Sequence, residues 1–187
     1  TLVKSSAASD VYKRQKDAII SSDIGNNCAI GNAYPTFEKG RKYLAPGLFG
    51  PCGYGLPSIV GAKIGVPSVP VVGFAGDGAF GISVNEMTSI GRSEWPAITM
   101  IIFRNYQWGA EKRNTTLWFK DNFVGTELDT KVSYAKMADA CGFIGTTANS
   151  MEELTSILKE AINQQMKNNK TTFIEVMLNQ ELGEPFR

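Results

Sequence analysis

From residue 17 onward, short apolar runs alternate with amphipathic stretches. Residues 70–75 (PVVGFA) form an unbroken apolar run, the pattern of a strand covered on both faces, and 97–103 (AITMIIF) is the strongest strand pattern in the chain. Shorter strands are expected at 18–21, 43–45 and 144–147, with a last one at 171–178. Helices are expected at 26–34, 56–64, 79–92 and 133–141, the last stopped by Gly142. Ser150 and Glu153 make a capping box, followed by Leu154, Ile157, Leu158, Ala161 and Ile162 on one helical face. Residues 47–55 are a glycine-rich loop. Residues 105–129 are polar, aromatic and irregular, and predict a long loop with room for a short helix.

Strands alternating with helices predict an α/β fold: a three-layer, mostly parallel sheet of about six strands with helices on both faces. Ligands of such sheets sit beyond the carboxyl ends of the strands. The loops after Ala75 and after Phe103 are therefore where chemistry is expected.

Composition narrows the chemistry. The chain has no histidine, which excludes Ser-His-Asp and Cys-His catalysis and histidine-based metal sites within it. A net charge of +1 leaves no electrostatic footprint for nucleic acid or an anionic membrane. No apolar run is long enough to span a bilayer. Cys28, Cys52 and Cys141 are widely spaced and odd in number, which fits neither a disulfide framework nor a zinc motif and suits a reducing cytoplasm. Residues 1–15 lack a clear period and are expected to be a disordered tail or non-native segment ahead of one domain over 16–187. The start at Thr1 and the stop at Arg187 without a terminus signal predict a fragment.

Gly76-Asp77-Gly78-Ala79-Phe80-Gly81 follows the first long strand, and Arg104-Asn105-Tyr106-Gln107-Trp108-Gly109 follows the second. Formally GDGAFG is G-x-G-x-x-G, so a non-catalytic dinucleotide-binding module is one reading. A carboxylate between two glycines would repel a pyrophosphate, however, unless a cation lies between them. Mg²⁺ takes six oxygens, commonly one or two carboxylates with phosphates and water. Asp77 would supply charge and Asn105 a neutral amide oxygen. The second loop also carries Arg104 where a dinucleotide fold wants an acid. The bland alternative is a tight turn at GDG and a cap at Asn105.

The two loops together resemble the signature of thiamine-diphosphate enzymes, with Arg104-Asn105 in place of the usual Asn-Asn. The resemblance implies Mg²⁺ bound by Asp77, Asn105 and the Gln107 carbonyl. It also implies a thiamine diphosphate lying against Gly76, Gly78, Ala79, Trp108, Gly109 and Ala110. Residues 50–57 (GPCGYGLP) resemble the aminopyrimidine-binding stretch of acetolactate-synthase-like members. Backbone at Gly50 and Cys52 would bind that ring, and Cys52 would be a small version of the wedge that bends the cofactor, unless it is an ordinary buried cysteine. Asp23-Ile24-Gly25-Asn26-Asn27 resembles the segment whose polar residues hold the diphosphate at a helix start, unless Asn26 and Asn27 are a plain N-cap.

Longer stretches (22–58, 76–92, 103–118 and 171–187) are similar to the sulfoacetaldehyde acetyltransferase branch of this family. That likeness implies conversion of sulfoacetaldehyde and phosphate to acetyl phosphate and sulfite, a step of taurine metabolism. It also implies an N-terminal pyrimidine-binding domain supplying the catalytic glutamate, and a homodimer or homotetramer. Arg104, Lys112 and Arg113 are candidates for binding sulfonate and phosphate, or are plain solvated charges. Tyr106, Trp108 and Trp118 would shield the site or simply pack.

Overall fold

The structure, a computed structural model, describes residues 17–33, 35, 37, 40, 42–92 and 94–180. Strand β1 (Ile19–Ser22) leads through α1 (Asn26–Ala33) to β2 (Tyr43–Leu44), and α2 (Gly55–Gly65) to β3 (Val71–Gly76). Helix α3 (Asp77–Ser83), a 3-10 turn (Val84–Glu86) and α4 (Met87–Ile90) precede β4 (Thr99–Arg104). Then come α5 (Gly109–Phe119), α6 (Tyr134–Ala140), β5 (Ile144–Ala148), α7 (Met151–Asn168) and β6 (Thr172–Met177). The six strands form one sheet in the order β2-β1-β3-β4-β6-β5, and every neighbouring pair is parallel.

Side chains alternate between two apolar layers, as strand geometry requires. Ile20, Val72, Phe74, Ile101, Phe103, Ile174 and Val176 pack against Leu154, Leu158, Ala161 and Ile162 of α7. Ile19, Val71, Ala75, Met100, Ile102 and Phe173 pack against Leu56, Ile59, Phe80, Met87 and Ala138 on the helices of the other face. Because both faces are covered, the strands read as apolar runs in the sequence. The Ser150 cap accepts from the Glu153 N–H at 3.1 Å, and Glu153 reaches back to the Asn149 N–H at 2.7 Å.

Two expectations change. The helix expected over 79–92 is broken by the 3-10 turn, although Phe80, Met87 and Ile90 still share one buried face. The expected loop at 105–129 contains the eleven-residue helix α5, none of whose residues is buried, so no apolar period could announce it. The expected tail over 1–15 lies outside the described residues.

Candidate functional site

Strand order sets the site. From β1 the chain moves outward to β2, then returns to place β3 on the other side of β1. This reversal opens a crevice at the carboxyl ends of the strands. A pocket lies there, walled by three segments: one after β1, one after β3 and one after β4.

The first wall is Gly25, Asn26 and Asn27, where α1 begins. Gly25 has φ +103, which a side chain would strain, and its carbonyl accepts from the Cys28 N–H at 3.0 Å. The second wall is Gly76, Asp77, Gly78 and Ala79, and the third is Asn105, Gln107, Trp108, Gly109 and Ala110. Cys52 completes the lining. Gly50 lies earlier in the Cys52 loop at φ +60, and a Cβ there would come within 3.1 Å of Ile24 Cδ1. The amide nitrogens of Asn26 and Asn105 each come within 3.3 Å of where a Cβ on Gly109 would sit. That of Asn27 comes within 3.2 Å of the matching point on Gly76. Donors thus crowd the walls where side chains are missing. Helices α1 and α5 both start at the pocket, and their free N–H groups favour an anion there.

Asp77 is the chemical centre. Its side chain is 1% exposed, at the junction of β3 and α3. Oδ1 accepts from the Gly78 N–H at 3.0 Å and Oδ2 from the Tyr106 N–H at 2.6 Å. Burial pushes its carboxyl above the ordinary aspartate value, while the Tyr106 N–H and the Arg104 guanidinium pull it back. Tyr106 stands at φ +59, a left-handed backbone that lets one residue send its N–H toward Asp77 and turn the next carbonyl to the pocket. The loop is held from behind by Trp108 N–H to Thr126 O and Leu128 N–H to Tyr106 O, both 2.8 Å.

The tip of the Asn105 amide lies 3.3 Å from Asp77 Oδ1 and 3.1 Å from the Gln107 backbone oxygen. Turned nitrogen-forward, it would donate to both. Turned oxygen-forward, it makes with them a triangle of acceptors, which a cation holds together. Two ligands at right angles on an octahedral Mg²⁺ sit about 3 Å apart, given metal–oxygen distances of about 2.0–2.1 Å. The two spacings from the Asn105 amide tip, 3.3 and 3.1 Å, are close to this. Among the described residues no three acidic or thiol side chains converge on a metal site. One carboxylate, one amide and one carbonyl therefore suit a cation that arrives with an anionic partner of its own.

Cys52 is half-buried, and burial followed by the fields of Asp23 and Glu111 pushes its thiol up. That shift favours the neutral Cys52 thiol over the thiolate. Sequence reasoning missed how its loop is held. Asp23, fully buried, accepts from Ile24 N–H (2.8 Å) and Gly53 N–H (3.1 Å) on Oδ1, and from Gly55 N–H (2.7 Å) on Oδ2. The clue was an acid directly after a buried strand and before a glycine.

The three cationic candidates fare differently. Arg104 is 1% exposed and paired inside the domain, so it cannot meet a substrate. Lys112 donates to Gln107 Oε1 at 3.0 Å and to Glu127 Oε1. Arg113 is half-buried on α5. Trp108 packs over Gly78, whereas Trp118 is exposed.

Comparison with known proteins agrees with this geometry. Residues 23–176 match the family model described as thiamine pyrophosphate enzyme, C-terminal TPP binding domain. The chain is 74% identical over 172 residues to the sulfoacetaldehyde acetyltransferase of Roseovarius nubinhibens, covering 92% of this chain and 28% of that protein. Identity is 76% to a probable sulfoacetaldehyde acetyltransferase of Rhizobium meliloti, covering 92% and 29%. It falls to 28% for the acetolactate synthase isozyme 3 large subunit of Escherichia coli, covering 86% and 28%. The chain thus spans less than a third of the length of these curated relatives. With the match running through all three pocket walls, this chain belongs to the thiamine pyrophosphate enzyme family and carries its C-terminal TPP-binding domain.

Proposed function

We propose that the pocket holds thiamine diphosphate through Mg²⁺, and that the complete protein is a sulfoacetaldehyde acetyltransferase turning sulfoacetaldehyde and phosphate into acetyl phosphate and sulfite. The observation that carries the activity is the gap between 74–76% identity to proteins of that name and 28% to an acetolactate synthase. The oxygen triangle of Asp77, Asn105 and Gln107 supports the cation.

In this reading Asp77 Oδ1, the Asn105 amide oxygen and the Gln107 carbonyl bind Mg²⁺. N–H groups around Gly25, Asn26 and Asn27, around Gly76, Gly78 and Ala79, and around Trp108, Gly109 and Ala110 receive the diphosphate. Gly50 and Cys52 meet the aminopyrimidine. Bound there, thiamine diphosphate would supply a nucleophilic carbon for acyl transfer, with sulfite as the leaving group and phosphate as the acceptor. This chain's part is to bind, orient and keep water out; with no histidine, it supplies no imidazole to the reaction. An N-terminal pyrimidine-binding domain and a homodimer or homotetramer complete the site, and the setting is the cytoplasm. Among the described residues no helix is long and apolar enough to cross a membrane.

The test is an assay of the complete protein with thiamine diphosphate, Mg²⁺, phosphate and sulfoacetaldehyde. Sulfite release is expected, with little turnover of pyruvate, and chain 1–187 alone should be inactive. Pyruvate turnover without sulfite release would move the protein to another branch. Tight NAD binding that needs no metal would overturn the site itself.

A further inference from the structure

Behind the oxygen triangle lies a buried chain of charges that the cofactor site does not use directly. Arg104 ends β4, and Glu175 stands in mid-β6, on the sheet face that also packs α6. Both are almost fully buried. Arg104 Nη1 lies 3.6 Å from Asp77 Oδ2, and its Nε lies 3.5 Å from Glu175 Oε1. Nη2 donates to the backbone oxygens of Asp129 and Val132. The guanidinium also sits over the rings of Tyr106, at 4.5 Å, and Tyr134, at 5.0 Å.

Glu175 is itself fixed. It accepts from the Tyr134 N–H (2.9 Å), the Ser133 hydroxyl (2.8 Å) and the Ala135 N–H (3.1 Å), all at the start of α6. The Tyr134 hydroxyl closes the ring by donating to the Asp77 backbone oxygen at 3.0 Å. Asp77 is therefore held at both oxygens. Oδ2 faces Arg104 and the Tyr106 N–H, while Oδ1 accepts from the Gly78 N–H of its own turn and also faces the tip of the Asn105 amide, which in turn lies against the Gln107 carbonyl.

We propose that Arg104, braced by Glu175, is a positioning residue for the cation: it clamps Asp77 Oδ2 and so presents Oδ1 to the metal before the cofactor arrives. The inference rests on the cation site proposed above. It makes a prediction opposite in sign to simple electrostatics. A positive charge near a cation site should weaken cation binding, so removing it should tighten the site. A clamp predicts the reverse, since groups that orient metal ligands typically carry about 10–100-fold in affinity.

The experiment titrates the complete protein with Mn²⁺ at saturating thiamine diphosphate, reading free Mn²⁺ by electron paramagnetic resonance. Arg104→Met, Arg104→Lys and Glu175→Gln are compared with wild type, with circular dichroism confirming the fold. Glu175→Gln keeps the Arg104 charge and loses only the brace, so it serves if Arg104→Met fails to fold. The expected result is Mn²⁺ affinity about tenfold or more weaker in both Arg104 variants and weaker in Glu175→Gln, with kcat returning toward wild type at high metal. Unchanged or tighter Mn²⁺ binding in folded variants would overturn the clamp while leaving the site intact. A wild-type protein that takes up no Mn²⁺ would overturn both.

Discussion

Gly78 and Trp108 offer the sharpest test of how the pocket is packed. A Cβ added at Gly78 would lie 2.7 Å from Trp108 Cε3 and 2.9 Å from Cδ2 and Cζ3. Carbon atoms prefer about 3.5–4.0 Å, so Gly78→Ala overlaps the indole by about 0.8 Å. The Trp108 backbone cannot simply withdraw, because its main-chain N–H is bonded to Thr126 O at 2.8 Å and the next residue starts α5. Overpacking of this kind costs about 1–3 kcal/mol. For a domain of this size that is a melting temperature lower by roughly 2–12 °C. Relief must come from turning the indole or from moving the first turn of α3 or α5, and all of these carry pocket walls. A misplacement of about 1 Å can cost about a hundredfold in rate. Thermal melts and cofactor titrations with Mg²⁺ on Gly78→Ala, Trp108→Leu and the double variant measure this. The double variant should recover stability lost by Gly78→Ala, with a coupling of about 1 kcal/mol or more. A Gly78→Ala protein that melts and binds cofactor like wild type, or a strictly additive cycle, would refute the contact.

Two further outcomes follow from the carboxylates. At about 100 times its dissociation constant, thiamine diphosphate with Mg²⁺ should stabilise wild type by about 2.7 kcal/mol. Asp77→Asn, which removes the only charge in the oxygen triangle, should abolish that gain in a thermal-shift assay. Asp23 sets a pH dependence. Burial raises its carboxyl, against the pull of the Gly55, Ile24 and Gly53 N–H groups. A folded value above the unfolded one means that the folded state holds the proton more tightly. Its contribution is complete below the ordinary aspartate range and is lost as pH rises through the raised folded value. Urea denaturation across that range should show wild type losing stability relative to Asp23→Asn as pH rises. An unchanged difference at every pH would contradict it.

Much of this molecule could be read along the chain because its strands are covered twice. Buried on both faces, β3 and β4 became unbroken apolar runs, and the loops after them had to meet at one sheet edge. The pairing of Asp77 with Asn105 followed from that. What stayed hidden has physical reasons. Helix α5 buries no residue, so the periodicity that betrays helices was missing. The 3-10 turn at Val84–Glu86 tightens the chain without disturbing the spacing of Phe80, Met87 and Ile90. For Arg104 the sequence offers two readings, an oxyanion binder beside the metal loop or a solvated charge, and the structure shows neither, because the side chain is buried. The counter-signal was Glu175, a lone acid inside the apolar run of β6, which demands a buried partner.

Helix α5 has a consequence of its own. Its start is pinned beside the pocket, but Leu117, Trp118 and Phe119 at its far end stand in water. Eleven residues are too few to stay helical unaided. Amide hydrogens in its last turn should thus exchange with solvent deuterium far faster than those at its anchored start, so that protection along this one helix fades from the pocket outward.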